Sequence, residues 1–399
     1  MVRNADELDG WRALLEPGAA ELLAATAALP DPGQVSLAEL RRLRALAAPE
    51  QVARALELVR ARRRAAKKFE SAELLLADLE GVEQASGTRV ARHKAARFAA
   101  LRPAGLVDLC CGIGGDLIEL CRALPAAEVS GLDLDPLRAL MAGHNAGCPV
   151  AVGDAAAALA GAAAFHIDPA RRIEGGDGRR LRRLADLRPG PEVLGPLLDS
   201  GRPGAIKLGP GIALDELPGG GSRTELEIVG DREGLLQALV WCGDLAQAPG
   251  RRTATRLDRG LGFTAAPRPA PIAAGIGRFV LVPDPALERA GLVGARTGGA
   301  VGEIAAGLGL LSAEAPLDDP WFRSFEVLEV LPWRDKKIRE ALRTHDAGPV
   351  QVKIRGKVAD ANAAARAFRG TGAAEIWLLG FRLGAKAVAV LAAEVPQGP

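Results

Sequence analysis

Four acids in this sequence each close a short apolar run: Asp108, Asp133, Asp154 and Asp168. Asp108 opens the stretch Asp108-Leu109-Cys110-Cys111-Gly112-Ile113-Gly114-Gly115-Asp116, after which Leu117, Ile118, Leu120 and Leu124 recur at helical spacing. The pattern is strand, glycine turn, helix. Lacking Cβ atoms, Gly112, Gly114 and Gly115 permit a sharp turn and close backbone approach, and the free amides of the following helix face whatever lies there. About 25 residues later, Gly131-Leu132-Asp133-Leu134-Asp135-Pro136 ends a second strand in an acid at the distance where ribose hydroxyls are held. Asp154, in Gly153-Asp154, follows a third strand and can accept a hydrogen bond from an adenine amino group. Together these residues point to a bound nucleoside. Each also has a purely structural explanation: Asp108 as a turn acid, Asp135 or Asp154 as an N-cap, Asp116 as a partner of a helix dipole.

The elements that must position these acids alternate between strand and helix from Leu106 onward, the pattern of a parallel sheet. Strands are expected near 106–110, 128–133, 149–152, 164–168 and 204–208, with further strand signals near 224–229, 252–257 and 279–282. His166-Ile167-Asp168-Pro169-Ala170-Arg171 ends the fourth strand, across the switch point from the glycine turn. A basic loop over 175–191 is expected at the same edge, where loops commonly carry substrate contacts. Residues 5–100 read as helical, broken at Pro30-Asp31-Pro32-Gly33, with Ser36 as an N-cap. Val90, Lys94 and Arg97 share one side of a basic helix that is expected to flank the pocket. The proline-rich run Ala266-Pro267-Arg268-Pro269-Ala270-Pro271 marks a change of unit. The division is therefore 1–84 helical, 85–265 nucleoside-binding, 266–324 connecting, and 325–399 a compact mixed and basic end.

Composition narrows the classes. A chain of 399 residues holds several compact units. With a formal net charge of only +2, attraction for an anionic partner must come from local patches. One such patch is Lys336, Lys337, Arg339, Arg343, Lys353, Arg355 and Lys357, which reads either as a phosphate-facing surface or as a solvated face. The arginines of 54–64 with Lys67 and Lys68 allow the same two readings. Five cysteines without a paired C-x-x-C spacing argue for a reducing compartment and against structural zinc, and no run approaches a membrane span. A cytoplasmic protein with no metal and no membrane association is expected, of unspecified oligomeric state. Trp321, Phe322, Trp333 and Trp377 are expected as core anchors of the last unit rather than as base-stacking platforms. His166 is read as a structural strand histidine.

The set Asp108 to Asp116, Gly131 to Pro136, Gly153-Asp154 and Asp168-Pro169-Ala170-Arg171 resembles a class I S-adenosylmethionine-dependent methyltransferase. The tail, with Leu331-Pro332, Lys336, Ile338-Arg339, Leu342-Arg343 and Lys353-Ile354-Arg355-Gly356, is similar to the THUMP-like C-terminal domain of a bacterial methyltransferase family. The resemblance implies an α/β Rossmann-like sheet with an N-terminal helical domain and a small mixed C-terminal domain. It also implies S-adenosylmethionine as cofactor and RNA (tRNA or rRNA) as substrate partner. The cofactor-binding set is then Asp108, toward the methionine ammonium, with Cys110, Gly112, Gly114, Asp133, Leu134 and Asp154. Asp168, Pro169 and Arg171 form the catalytic set. Enzymes that methylate exocyclic base nitrogens resemble one another in an Asp-Pro-Pro-aromatic turn, and here Ala170 and Arg171 replace the second proline and the ring. The Asp-Pro-Ala-Arg form looks like RNA 5-methyluridine methyltransferases, yet Ile206-Lys207-Leu208-Gly209-Pro210-Gly211 lacks their nucleophilic cysteine, so direct in-line transfer is expected. Two other classes remain: a noncatalytic RNA-binding protein retaining a nucleoside pocket, and a nicotinamide dehydrogenase. The dehydrogenase suffers from the missing third spaced glycine.

Overall fold

A computed structural model of the chain describes residues 5–157, 163–171, 183–214 and 223–396, apart from the side chains of Ala5, Asp6 and Arg171. It contains two compact units, one of Met1–Asp231, Leu236–Arg251 and Leu257–Leu261, the other of Arg232–Leu235, Arg252–Arg256 and Gly262–Pro399. The finer four-way division stands as a proposal about separable segments. No helix among the described residues is long and apolar enough to cross a membrane.

The first unit begins with α1 (Ala5–Ala13), α2 (Ala20–Ala27), α3 (Leu37–Arg44), α4 (Pro49–Ala65), α5 (Leu79–Gln84) and α6 (Thr88–Leu101). Ser36 caps α3 in a reciprocal capping box with Glu39, as its spacing predicts. The core of these helices, including Trp11, Leu22 and Leu58, takes in Ile113 from the glycine turn and Leu137 and Met141 from beyond it. The basic face of α4 is partly committed inside the unit. Arg62 donates to Leu75 O at 2.8 Å, and Arg63 donates to Pro30 O at 2.7 Å and Ala27 O at 3.0 Å, which satisfies carbonyls at the end of α2.

The sheet follows: β1 (Gly105–Leu109), α7 (Gly115–Ala123), β2 (Glu128–Asp133), α8 (Pro136–Ala146), β3 (Val150–Val152), β4 (Ala164–Ile167), β5 (Ala170–Arg171), β6 (Leu187–Arg188), α9 (Pro191–Asp199), β7 (Gly204–Leu208), β8 (Glu225–Asp231) and β9 (Gly234–Cys242). In this unit the strand order is β8-β9-β7-β4-β1-β2-β3. The pairs β1·β2, β1·β4, β2·β3 and β4·β7 are parallel, so the order reverses beside β1 and opens a crevice at its carboxyl end. β9 runs antiparallel to β7 beside this parallel set, and the 234–242 strand carried no separate signal in the alternation. The expected strands at 128–133 and 204–208 match, that at 106–110 lies one residue earlier, and those at 149–152 and 164–168 are a residue shorter at one end. The helix α6 is docked on β8 and β9 by charge and ring contacts: Arg97 pairs with Glu225, His93 Nε2 lies 2.8 Å from Glu227, and the Arg97 guanidinium sits 4.3 Å over Trp241.

The second unit contains β10 (Arg252–Arg256), β11 (Leu261–Ala265), β12 (Phe279–Pro283), α10 (Pro285–Arg289), α11 (Val293–Thr297), β13 (Gly302–Glu303), β14 (Leu311–Ala313), β15 (Phe322–Pro332), α12 (Asp335–Thr344), β16 (Ala347–Ile354), α13 (Ala361–Ala367), β17 (Ala374–Leu383) and β18 (Lys386–Val395). Its seven-stranded sheet is ordered β13-β14-β12-β15-β18-β17-β16. The region 285–311 holds two short helices and then strand segments. Trp377 and Phe325 pack with ring centroids 5.2 Å apart, and Trp333 meets Phe368 edge-on at 6.0 Å. Trp321 and Phe322 are also buried, so these rings are core anchors. The helix α12 buries Ile338, Ala341 and Leu342 and exposes Lys336, Lys337, Arg339 and Arg343. Lys353 and Arg355 are half-buried instead, with Arg355 paired to Glu288 at 3.1 Å, so the basic patch is smaller than its sequence suggests.

Candidate active site

The carboxyl ends of β1, β2, β4 and β7 border a cavity of about 970 Å³. Asp108, Cys110, Gly112, Asp133, Leu134, Asp154, Asp168 and Pro169 all line it. Sequence reasoning therefore places its acids in one space. Gly114 lies behind the lining: its φ is +86° and an added Cβ would stand 3.1 Å from Ala142 Cα, so its role is to let the turn pack on α8. Gly112, with φ +58°, has nothing within 4 Å of the Cβ position, which leaves its backbone open to a ligand. Arg171 ends β5, but its side chain lies outside the described residues, as does the 175–182 part of the expected basic loop. Leu187, Arg188 and Pro189, at the end of that loop, do line the cavity.

The rim acids differ in how they are held. Asp133 Oδ2 accepts from Gly112 N at 2.8 Å and Oδ1 from Asp135 N at 2.9 Å, so this carboxylate ties the second strand end to the glycine turn. Burial raises its pKa, and the two amide bonds oppose that shift. Asp135 caps α8 by accepting from Leu137 N at 2.9 Å, the N-cap role allowed for it. Asp154 accepts from Ala156 N at 2.9 Å and is exposed. Leu134 is 72% exposed, an apolar side chain left on the cavity wall where a flat ring can cover it. Cys110 adopts φ +58°, a strained conformation for a residue with a Cβ. Burial pushes the thiols of Cys110 and Cys111 far up, so neither is a thiolate at neutral pH.

Beneath the turn lies a buried polar network that the sequence did not assemble. Asp108 and His166 are register partners on the parallel strands β1 and β4. His166 Nδ1 donates to Asp108 Oδ1 at 2.6 Å. Lys94, reaching in from α6, places its ammonium 2.6 Å from Asp116 Oδ1, 3.2 Å from Ser86 Oγ and 3.4 Å from His166 Nε2. With the Lys94 ammonium donating to it, Nε2 of His166 is the acceptor nitrogen and Nδ1 the protonated one. Asp108, His166 and Lys94 are each no more than 1% exposed. Ser86 donates to Asp116 Oδ2 at 2.8 Å and so can only accept from Gln237 Nε2, also at 2.8 Å, which turns the Gln237 carbonyl oxygen the other way. Burial alone would raise the Asp116 pKa, but the Lys94 charge and the Ser86 bond outweigh it and hold it at about 2. For Asp108 burial wins and the pKa is raised.

Three acceptor atoms of cavity-lining residues, Asp108 Oδ2, Asp116 Oδ1 and Gln237 Oε1, are buried without a hydrogen-bond partner; Asp116 Oδ1 is met by the Lys94 charge, which leaves Asp108 Oδ2 and Gln237 Oε1 unsatisfied. Unsatisfied buried acceptors are costly, and a carboxylate and an amide oxygen on the wall of one cavity suit a cationic group with several N–H bonds. The residues present therefore fit a nucleoside that carries an amino-acid ammonium. Lys207 is the other residue that the sequence reading passed over. It projects from β7 into the cavity and donates to Asp168 Oδ2 at 2.7 Å. A lysine within the otherwise apolar strand Ala205-Ile206-Lys207-Leu208 was its only signal. For Lys94 the signal was a charge on the face of α6 that also carries Val90 and Phe98, and nothing in the sequence singled out Gln237.

Residues 322–394 match the THUMP domain-like family. Uncharacterized S-adenosylmethionine-dependent methyltransferases from two strains of Mycobacterium tuberculosis are 35% identical over 338 residues, which covers 79% of this chain and 87% of theirs. A crystal structure described as a candidate methyltransferase of Porphyromonas gingivalis aligns over 99% of this chain and 100% of its own, with a TM-score of 0.69 at 20% identity, and shares the fold. With glycine turn and strand-end acids gathered on one crevice, and relatives matching along most of their length, the chain belongs to the S-adenosylmethionine-dependent methyltransferases, with S-adenosylmethionine as its donor and a THUMP-like domain at its C-terminal end.

Proposed function

We propose that this methyltransferase acts on RNA by direct in-line transfer, without a covalent enzyme–substrate intermediate. S-adenosylmethionine supplies an electrophilic methyl on a sulfonium. The protein's residues supply position. In this reading Asp108 Oδ2 and Gln237 Oε1 receive the methionine ammonium, Asp133 accepts the ribose hydroxyls, Leu134 covers the adenine ring, and Asp154 accepts from its amino group. Gly112 gives close backbone approach, Gly114 and Cys110 hold the turn, and Asp168 with Pro169 orients the acceptor, with Arg171 assigned to the same edge. The observation that carries the donor half is the pair of unpartnered buried acceptors on the cavity wall.

Support for a noncovalent route is the chemistry of the thiols. Cys110 and Cys111 are the cysteines lining the cavity among the described residues, and both are held protonated by burial. Support for RNA is the THUMP-like domain, similar to domains that bind RNA, together with the exposed basic face of α12. The test is to incubate the protein with methyl-labelled donor and total RNA and follow the label into RNA. Labelled RNA supports the reading. Donor binding without transfer to any RNA favours a noncatalytic RNA-binding protein or a different acceptor.

A further inference from the structure

β4 and β7 pair in parallel, with Phe165 opposite Gly204, His166 opposite Ala205 and Ile167 opposite Ile206. The next positions along both strands are Asp168 and Lys207, and their side chains meet at 2.7 Å inside the cavity. Among the described residues Asp168 is the single hydrogen-bond partner of the Lys207 ammonium, so its other N–H bonds remain available. The backbone N–H of Asp168 donates to Leu109 O at 3.2 Å, which fixes this pair against the end of β1 and the glycine turn. Lys68 adds a second cation to the region. It donates to Ala85 O at 2.8 Å and Glu83 O at 3.3 Å on the cavity wall, and burial together with the positive charge of Lys207 lowers its pKa to about 8.

Charge decides which acceptor such a pair suits. In methyl transfer the acceptor lone pair forms the bond to carbon while the S–C bond breaks and its electrons return to sulfur, giving a neutral thioether. A neutral amine becomes positive as it reacts, and an ammonium in contact opposes that change. A hydroxyl must lose a proton and becomes more negative, and the same ammonium favours that change. Asp168 beside it can take the proton, so that carboxylate, alcohol and sulfonium become carboxylic acid, methyl ether and thioether. No aromatic side chain lines the cavity among the described residues, so a base has no ring there on which to stack.

We propose that Lys207 is a catalytic residue on the acceptor side and that the atom methylated is a hydroxyl oxygen, which within an RNA chain is the ribose 2′-hydroxyl. The proposal rests on the methyl-transfer reading above and adds the acceptor atom to it. Its test uses the full chain, methyl-labelled S-adenosylmethionine, and a cell extract separated afterwards into RNA, protein and small-molecule fractions. RNA methylated on the ribose oxygen resists alkaline cleavage at that position, so the expected label runs in alkali-stable dinucleotides. Lys207→Met should lower that transfer about a hundredfold or more, with donor affinity unchanged and Lys207→Arg partly restoring the rate. Label on RNA bases would overturn the oxygen assignment and leave the RNA reading standing. Label as an O-methyl group only outside RNA would support the oxygen assignment and overturn RNA. Label only as N-methyl or S-methyl products elsewhere, or no label in any fraction, would overturn both. A Lys207→Met protein that transfers at the parent rate would remove Lys207 from the mechanism.

Discussion

Replacing Lys94 with methionine keeps the length of the side chain and removes its charge, leaving Asp116 as a buried carboxylate beside Ser86 and His166 without a cationic partner from α6. The shift of Asp116 from 3.8 to about 2 corresponds to about 2 kcal/mol in favour of the charged form. Removing one member of a buried pair adds the cost of the stranded charge, so the expected destabilisation is about 3–5 kcal/mol. For a unit of this size each kcal/mol lowers Tm by about 2–4 °C, which gives a fall of roughly 10 °C by calorimetry. The double variant Lys94→Met with Asp116→Leu removes both charges and should recover much of that loss. Donor affinity should fall in Lys94→Met as well, because the ammonium fixes the His166 tautomer that occupies one Asp108 oxygen and leaves the other free. A single variant melting within a degree or two of the parent would refute the charge logic, and so would a double variant no more stable than the single.

Asp133→Ala should weaken donor binding by on the order of 2–3 kcal/mol, roughly thirtyfold or more, since it removes the proposed ribose acceptor and releases Gly112; unchanged calorimetric affinity would take Asp133 out of the site. Asp168→Ala should cut single-turnover transfer by about a hundredfold with donor affinity preserved, and parallel losses in binding, Tm and rate would mark it instead as a turn-forming acid. The depressed Asp116 pKa contributes stability that is fully present above its unfolded value of 3.8 and is lost as pH falls through about 2; an acid-unfolding series on the parent and Asp116→Asn should differ in that window. Because β15 lies between β12 and β18, deleting the C-terminal segment would open the sheet, so RNA binding is better tested by surface substitution. Exchanging the exposed Lys336, Lys337 and Arg343 for glutamine should reduce the salt slope for single-stranded RNA by about 2 if each meets a phosphate, and an unchanged slope would mark α12 as a solvated face.

The sequence by itself determined the crevice and its acids. Glycines at 112, 114 and 115, and an acid closing each of four apolar runs, are local patterns: a strand that ends in a turn leaves its last side chain at the sheet edge wherever the strand sits. The helical leader and the cap at Ser36 were legible for the same reason. Only the tertiary structure decided which groups meet. Asp108 finds His166 because β1 and β4 pair in a register that no local pattern encodes, and Asp168 finds Lys207 by the same rule one strand further on. Lys94, Ser86 and Gln237 come from a helix, a loop and an antiparallel strand far apart in the chain, and they converge because the cost of burying Asp116 and Asp108 without partners must be met by whichever polar groups the packing brings near.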